Sequence, residues 1–313
     1  MEKICFGIDI GGTTVKLGLF TVNGNLIDKW EIPTRKDEGG SYILNDVAES
    51  VEKKIVDAKL NRDEIVGIGI GVPGPVTEDG TVLKCANLGW GVFNVADEMK
   101  RLTGFDTKVG NDANVAALGE MWQGGGKGYK NLIMVTLGTG VGGGVILNGE
   151  ILTGSNGAAG EIGHITVNYD EQDNCGCGKT GCLEQFASAT GIVKEAKRLL
   201  NQSSETSMLR DLQYISAKAI FDCAKDGDML AKQLVEQLGS YLGIALSHIA
   251  AVVDPQVFVI GGGVSKAGDI LTELIKKHYE KNVMFALKNK EFKLAELGND
   301  AGIYGSAKMI IGR

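Results

Sequence analysis

Apolar and polar positions fall into blocks that read as strand, turn and helix from the start of the chain. Ile4–Ile10 (ICFGIDI) is a short apolar run carrying Asp9 near its end. Gly11-Gly12-Thr13-Thr14 follows, then a second apolar run, Val15–Phe20, and an Asn23-Gly24 turn. This order, strand, small-residue turn, strand, is that of a hairpin. A P-loop or a dinucleotide fingerprint needs a helix directly after its glycines, so both are excluded here. Leu26–Ile32 predicts a third strand. Residues 42–60 then place Ile43, Val47, Val51, Ile55 and Val56 at helical spacing, the stripe of a helix packed on one face. Ile65–Val72 (IVGIGIGV) is continuously apolar, as in a strand covered on both sides, and stops at Pro73-Gly74-Pro75.

The pattern then starts again. Lys108–Gly110 reads as a strand, and Asn111-Asp112-Ala113-Asn114 opens a helix running to Trp122. Leu132–Leu137 is a strand, Gly138-Thr139-Gly140-Val141-Gly142-Gly143-Gly144 a glycine turn, and Val145–Leu147 the second arm, closed by Asn148-Gly149. This repeat of the first hairpin implies two related sheets facing one another across a cleft. Helices are predicted from Ser188 to Leu200, from Ile215 to Cys223 and, unusually long, from Met229 to Val253. Val257–Ile260 is a strand running into Gly261-Gly262-Gly263, with a helix from Ala267 to Tyr279. A short strand, Leu294–Leu297, precedes a last helix ending near Ile310 and returning to the first domain. The expected fold class is α/β, with residues 1–120 and 300–313 forming a smaller domain and 121–299 a larger one.

Composition narrows the field. The chain has 313 residues, 43% hydrophobic and 23% charged, with a net charge of -7. That is an ordinary globular balance. No apolar run reaches membrane-spanning length and Met-Glu-Lys leads straight into a strand, so neither a membrane nor a signal peptide is expected, and the location expected is cytoplasmic. No basic cluster interleaved with aromatics marks a nucleic-acid face. Cys5, Cys85 and Cys223 stand alone in apolar settings and read as buried free thiols.

The other three cysteines do not stand alone. His164, Cys175, Cys177 and Cys182 form an H-x10-C-x-C-x4-C arrangement, one imidazole and three thiols, the donor set of a closed tetrahedral structural Zn²⁺ site. Gly176, Gly178 and Gly181 let the backbone turn round one ion. Glu161 lies three residues before the histidine and Glu184 two after the last cysteine, so folding round the ion is expected to bring both carboxylates towards one place. There they either hold vicinal sugar hydroxyls beside an imidazole oriented by the metal, or are solvated charge.

Elsewhere each candidate has two readings. The Gly11-Gly12-Thr13 turn can take phosphate oxygens, with Asp9 orienting Mg²⁺ through water and Lys16 supplying a cation, or Lys16 is a solvated edge-strand residue. Asn87, in Asn87-Leu88-Gly89-Trp90, bonds a hydroxyl or caps its own turn. Asp112 is a general base or a helix N-cap. Gly262 and Gly263 are an adenine-side approach or a packing turn. His248 and His278 read as a packed or partly exposed residue and a solvated one.

Taken together, the segments DIGGTTVK (9–16), GVPGPV (71–76), NLGW (87–90), NDANVAALGEMW (111–122), VTLGTGVGGG (135–144), EIGH (161–164), CGCGKTGCLE (175–184) and VIGGGVS (259–265) resemble the ROK family of sugar kinases and repressors, and within it the bacterial ATP-dependent glucokinases. The resemblance implies an actin-like, ribonuclease H-like ATPase fold with two α/β domains round a sugar and ATP cleft, a zinc-stabilised loop and a homodimer. It implies Asp112 as the base for the sugar 6-hydroxyl, and Asn87, Asn111, Glu161, His164 and Glu184 as sugar contacts. Gly11, Gly12 and Thr13, with Thr139 and Gly140, correspond to the phosphate turns and Gly262 and Gly263 to the adenosine side. Zinc falls to His164, Cys175, Cys177 and Cys182, with glucose, ATP and Mg²⁺ as the small-molecule partners. N-acetylmannosamine, N-acetylglucosamine and fructose kinases share these motifs, and polyphosphate could replace ATP. A repressor would need a DNA-binding segment before the first strand, where only Met1 to Lys3 stand.

Overall fold

A computed structural model describes residues 2–312. Its strands are β1 (Ile4–Ile10), β2 (Thr14–Thr21), β3 (Leu26–Pro33), β4 (Ile65–Val72), β5 (Thr81–Val82), β6 (Phe93–Asn94), β7 (Thr107–Asn111), β8 (Leu132–Leu137), β9 (Val141–Leu147), β10 (Glu150–Ile151), β11 (Val257–Gly261) and β12 (Glu291–Leu294). One sheet runs β3-β2-β1-β4-β7 and the other β10-β9-β8-β11-β12, with β5 and β6 as a small ribbon. Numbered from their own first strands, both sheets have the order 3-2-1-4-5. In the first, β2 is antiparallel to β1 and β3, while β4 is parallel to β1 and β7. In the second, β11 is parallel to β8 and β12. The fold is mixed α/β, and the repeated hairpin is the start of each sheet.

Two compact units result, Met1–Lys130 with Gly144–Gly160 and Glu296–Arg313, and Asn131–Gly143 with Glu161–Ala295. The return of Gly144–Gly160 to the first unit has a steric basis. A Cβ on Gly144 would lie 2.5 Å from that of Ala117 and 2.8 Å from the Ala113 carbonyl oxygen, so the strand runs directly over the helix Asp112–Gln123.

In the first unit β1 is buried along almost its whole length. Ile4, Phe6, Ile8 and Ile10 pack with the stripe Ile43, Val47, Val51 and Ile55 of the helix Ile43–Asp57. Val56, expected in that stripe, is 71% exposed, because one residue beyond Ile55 the helix has turned its side chain to solvent. On the opposite face lies the last helix, Ala301–Ile311, whose Ser306 hydroxyl donates to the Ile8 carbonyl at 2.7 Å. Its approach depends on glycine: a Cβ on Gly69 would stand 1.8 Å from the Ser306 carbonyl oxygen.

Elsewhere the boundaries move by small amounts. The glycine turn of the second hairpin shrinks to 138–140, because Val141–Gly144 are already in β9. The strand expected at Leu294–Leu297 is the preceding EFKL, which pairs with β11. A 3-10 turn, Gly263–Ala267, separates β11 from the helix Asp269–Asn282. His278 is not solvated: its side chain is 12% exposed and its Nε2 lies 2.9 Å from Glu236 Oε1. Cys5, Cys85 and Cys223 are buried and free. Among the described residues no helix is long and apolar enough to cross a membrane.

Candidate active site

The first unit gathers Asp9, Lys16, the Gly11–Thr13 turn, Asn87, Asn111 and Asp112. Antiparallel pairing sets Asp9 directly opposite Lys16, and parallel pairing sets it beside Gly71. Lys16 is not a loosely solvated edge residue, since its Nζ donates to the Asn299 carbonyl at 2.9 Å. The turn is held by the Gly11 N–H donating to the Thr14 carbonyl at 3.0 Å and by the Thr34 hydroxyl donating to the Gly11 carbonyl at 2.7 Å. Burial, then the charge of Asp112, push Asp9 up to about 6, with Lys16 pulling the other way. Two carboxylates therefore work against one another across this part of the unit, an arrangement that favours a cation between or beside them.

The helix bearing Asp112 resolves one ambiguity. Asn111 is its N-cap, extended at φ -62, ψ 139, and its side-chain oxygen accepts from the N–H groups of Ala113 and Asn114 at 3.0 and 3.1 Å. Its side-chain nitrogen donates to the Gly74 carbonyl at 3.1 Å, so the cap also ties the helix to the Pro73–Pro75 turn. Asp112 is thus the first helical residue rather than the cap, partly buried, with the positive end of the helix dipole beside it. Asn87 is exposed in a 3-10 turn, and its backbone oxygen is 4.0 Å from where a Cβ on Gly12 would stand. Asn111 thus sits at the carboxyl end of β7, and the Asn87 backbone lies near the Gly11–Thr13 turn.

The second unit gathers the rest. β8 and β11 are adjacent parallel strands, so Gly138–Gly140 and Gly262–Gly263 emerge side by side at their carboxyl ends, where open sheets place ligands. Gly262 has φ +85, and a Cβ there would lie 2.5 Å from the Leu137 carbonyl oxygen, so only glycine lets the two turns approach. Thr139, Gly262 and Gly263 are exposed.

Against the first of these turns stands Glu184. Its Oε2 accepts from the Val141 N–H at 3.0 Å, and a Cβ on Gly140 would lie 2.1 Å from the same oxygen. The EIGH segment packs on the same place, because a Cβ on Gly163 would be 2.2 Å from the Val141 carbonyl oxygen. Glu161, exposed, opens a 3-10 turn that ends at His164, and its Oε2 lies 3.9 Å from His164 Nε2. Glu161 faces the imidazole, while Glu184 is tied to the glycine turn by a contact 43 residues apart in sequence, invisible to local spacing.

The other imidazole nitrogen meets the thiols. His164 Nδ1 is 3.7 Å from Cys175 Sγ, Cys177 Sγ is 3.6 Å from Cys182 Sγ, and the four donor atoms lie within 4.8 Å of one another. A tetrahedral ion with sulfur ligands at about 2.3 Å requires ligand separations of about 3.7 Å. The two pair distances match that figure, and 3.6 Å is far outside a disulfide bond of about 2.04 Å. Burial pushes Cys182 up to about 12, while the Lys179 N–H holds Cys177 below the usual thiol range. The loop is braced from outside: Gln185 accepts from the Cys182 N–H and donates to the Asp173 carbonyl, at 3.0 and 2.8 Å. Arg198 joins Glu171 and Asp173, each at 2.9 Å.

Glycine turns at strand ends, an aspartate at a helix start, and a Cys3His cluster beside two glutamates describe a ligand-handling α/β protein. The ROK family model matches residues 5–313, and the chain belongs to that family. A glucokinase of Halalkalibacterium halodurans is 44% identical over 309 residues, covering 97% of this chain and 94% of that protein. Two crystal structures are also similar, each at 31% identity. The ROK hexokinase of Thermus thermophilus has a TM-score of 0.81 over 97% of this chain and 96% of that one. A ROK family glucokinase from Streptomyces griseus, in complex with glucose and AMPPNP, has a TM-score of 0.74 over 98% of both chains.

Proposed function

We propose that the protein transfers the γ-phosphoryl group of ATP to the 6-hydroxyl of glucose, on an actin-like pair of α/β domains. The observation that carries this reading is the block formed by Glu184, the Gly138–Val141 turn and the EIGH segment. It joins a polyol-binding acid directly to a turn suited to phosphate oxygens, so acceptor and donor are handled by one rigid piece of structure. Glu161, His164 Nε2 and Glu184 of the second unit bind sugar hydroxyls, as do Asn87 and Asn111 of the first. Charged hydrogen bonds of this kind are worth about 1.5–3 kcal/mol each.

Asp112 accepts the proton of the 6-hydroxyl as oxygen attacks phosphorus in line and the bond to the ADP oxygen breaks. Asn111 does the main capping, and of the Asp112 carboxylate Oδ1 accepts from the Ala113 N–H at 2.8 Å. Phosphoryl transfer asks mainly for positioning and charge stabilisation, so the base has above all to be well placed. Gly11, Gly12 and Thr13 with Lys16 in the first unit, and Thr139 and Gly140 in the second, receive phosphate oxygens, while Gly262 and Gly263 leave room for adenosine. Asp9 would hold Mg²⁺ through water, and the ion supplies charge neutralisation for the phosphates. The donor set and spacing of His164, Cys175, Cys177 and Cys182 fit zinc, which supplies structure and no chemistry. The reading includes a homodimer in the cytoplasm.

A coupled assay of glucose, mannose, fructose, N-acetylglucosamine and N-acetylmannosamine, each with ATP and with polyphosphate, tests the proposal. The expected result is the highest kcat/KM for glucose with ATP. A higher value for an N-acetyl sugar would move the substrate, and no transfer to any sugar would end the kinase reading. Light scattering of the purified protein checks the dimer.

A further inference from the structure

Glu120 is a fully buried carboxylate that the transfer scheme leaves without a task. It lies on the same helix as Asp112, about two turns further on. A carboxylate out of water needs hydrogen bonds in its place. Here they come from three backbone donors: Gly125 N–H to Oε2 at 2.8 Å, Glu296 N–H to Oε2 at 3.0 Å and Leu297 N–H to Oε1 at 2.9 Å. The Glu120 backbone carbonyl also accepts from the N–H groups of Gly124 and Gly126, at 3.1 and 3.0 Å.

These partners are not scattered. The chain first leaves the first unit after Lys130 and, after returning for Gly144–Gly160, re-enters it for the last time at Glu296, so Gly125 lies before the first crossing and Glu296 and Leu297 just after the last. Two stretches of chain roughly 170 residues apart meet on one side chain. Gly124 makes room for it, since a Cβ there would lie 2.0 Å from Glu120 Oε2 and 3.0 Å from Leu297 Cγ. A residue serving only to end its helix would have no use for donors across such a separation.

We propose that Glu120 is a positioning residue for phosphoryl transfer: it fastens the first and the last of these connections to the end of the helix whose start carries Asp112. Displacement of those connections is then registered at the base through one rigid rod. This rests on the kinase reading.

Two variants test it from opposite directions. Glu120→Gln turns one acceptor into an NH2 group facing backbone N–H donors. Gly124→Ala leaves Glu120 in place and pushes its carboxylate aside, at a backbone conformation alanine tolerates (φ -118, ψ -150). In both, hydrogen exchange at residues 125, 296 and 297 is expected to accelerate. The kcat for sugar phosphorylation is expected to fall by about ten- to a hundredfold with the sugar KM changed little. ATP hydrolysis without sugar phosphate formation is expected to grow as a share of turnover, which general destabilisation would not produce because it removes both reactions together. Should Glu120→Gln not fold, Gly124→Ala carries the test. Faster exchange with unchanged kcat and unchanged hydrolysis share would make the contact merely structural and overturn the proposal, as would unchanged exchange. Wild-type protein that phosphorylates no hexose would end the kinase reading and this role together, whereas an active wild type with unaffected variants would end this role alone.

Discussion

Replacing Asp9 by Asn is expected to stabilise the protein at neutral pH while disabling it. The Asp9 carboxyl is pushed from 3.8 to about 6, first by burial and then by the charge of Asp112. A shift of roughly two units at about 1.36 kcal/mol per unit is a cost of about 2–3 kcal/mol for carrying that charge in the ligand-free fold. The sign follows from the direction. A folded value above the unfolded one means that the favourable contribution is fully present below about 4 and is lost as the pH rises through about 6. Asn has nearly the same shape and does not titrate, which matters because Gly302 packs so closely that a Cβ on it would lie 2.6 Å from Asp9 Cγ. The difference between variant and wild type is therefore expected to be near zero at pH 4 and about 2–3 kcal/mol in favour of Asp9→Asn at pH 7.5. Urea denaturation followed by tryptophan fluorescence reads the relevant unit, because Trp30, Trp90 and Trp122 all lie within its first 130 residues. A variant less stable than wild type at pH 7.5, or a difference that does not change with pH, would refute the electrostatic account.

Three further outcomes are expected. Asp112→Asn should fold and bind glucose with ordinary affinity, because the cap comes from Asn111, yet lose about 10²–10⁴ in kcat, measured by coupled assay against calorimetric sugar binding. Near-normal turnover would remove the base assignment. Gly140→Ala should raise the sugar KM by roughly tenfold or more by displacing the Glu184 carboxylate 2.1 Å from the new Cβ, leaving Glu184 itself unaltered. An unchanged KM would detach Glu184 from the sugar. Elemental analysis should find one zinc per chain, and its removal by a chelator should expose residues 165–182 to proteolysis and raise the sugar KM, with full activity in metal-free protein as the contrary result.

Local pattern carried most of the fold because the strands that matter are apolar and short. Ile65–Val72 and Leu132–Leu137 have the limits their composition announces. β12 is less legible: EFKL is polar at alternate positions and mostly half-exposed, so the pattern points to the residues just after it. The Cys3His cluster was legible because its ligands lie within 19 positions of one another and glycines fix the turns between them. Asn111 and Asp112 could not be separated by sequence, since both residue types cap helices well and only the extended ψ of 139 at Asn111 shows which one does. Glu184 against Val141, and Glu120 against Glu296, are long-range contacts with no local periodicity to reveal them. In sequence Glu120 is simply one more charged residue on a helix.

The matching order of the two sheets sharpens the division of labour between their turns. In each, the residue before last of the central strand is polar and faces a glycine on the neighbouring parallel strand: Asp9 beside Gly71, Thr136 beside Gly261. The scaffold is the same, but the charge is not. The first turn carries its own acid, so it repels phosphate unless Lys16 and a bound cation offset Asp9 and Asp112. The second turn has no acid of its own and acquires one from Glu184, whose bond to Val141 occupies a backbone donor that an anion could otherwise use. On the proposed reading a phosphate group is better received at Thr139 and the exposed Gly262 and Gly263 than at Val141, while the Glu184 side of the turn suits neutral hydroxyls. On that reading a single carboxylate separates the phosphate end of that turn from its sugar end, and the two equivalent hairpins differ in where their acid comes from, Asp9 within the first and Glu184 from outside the second.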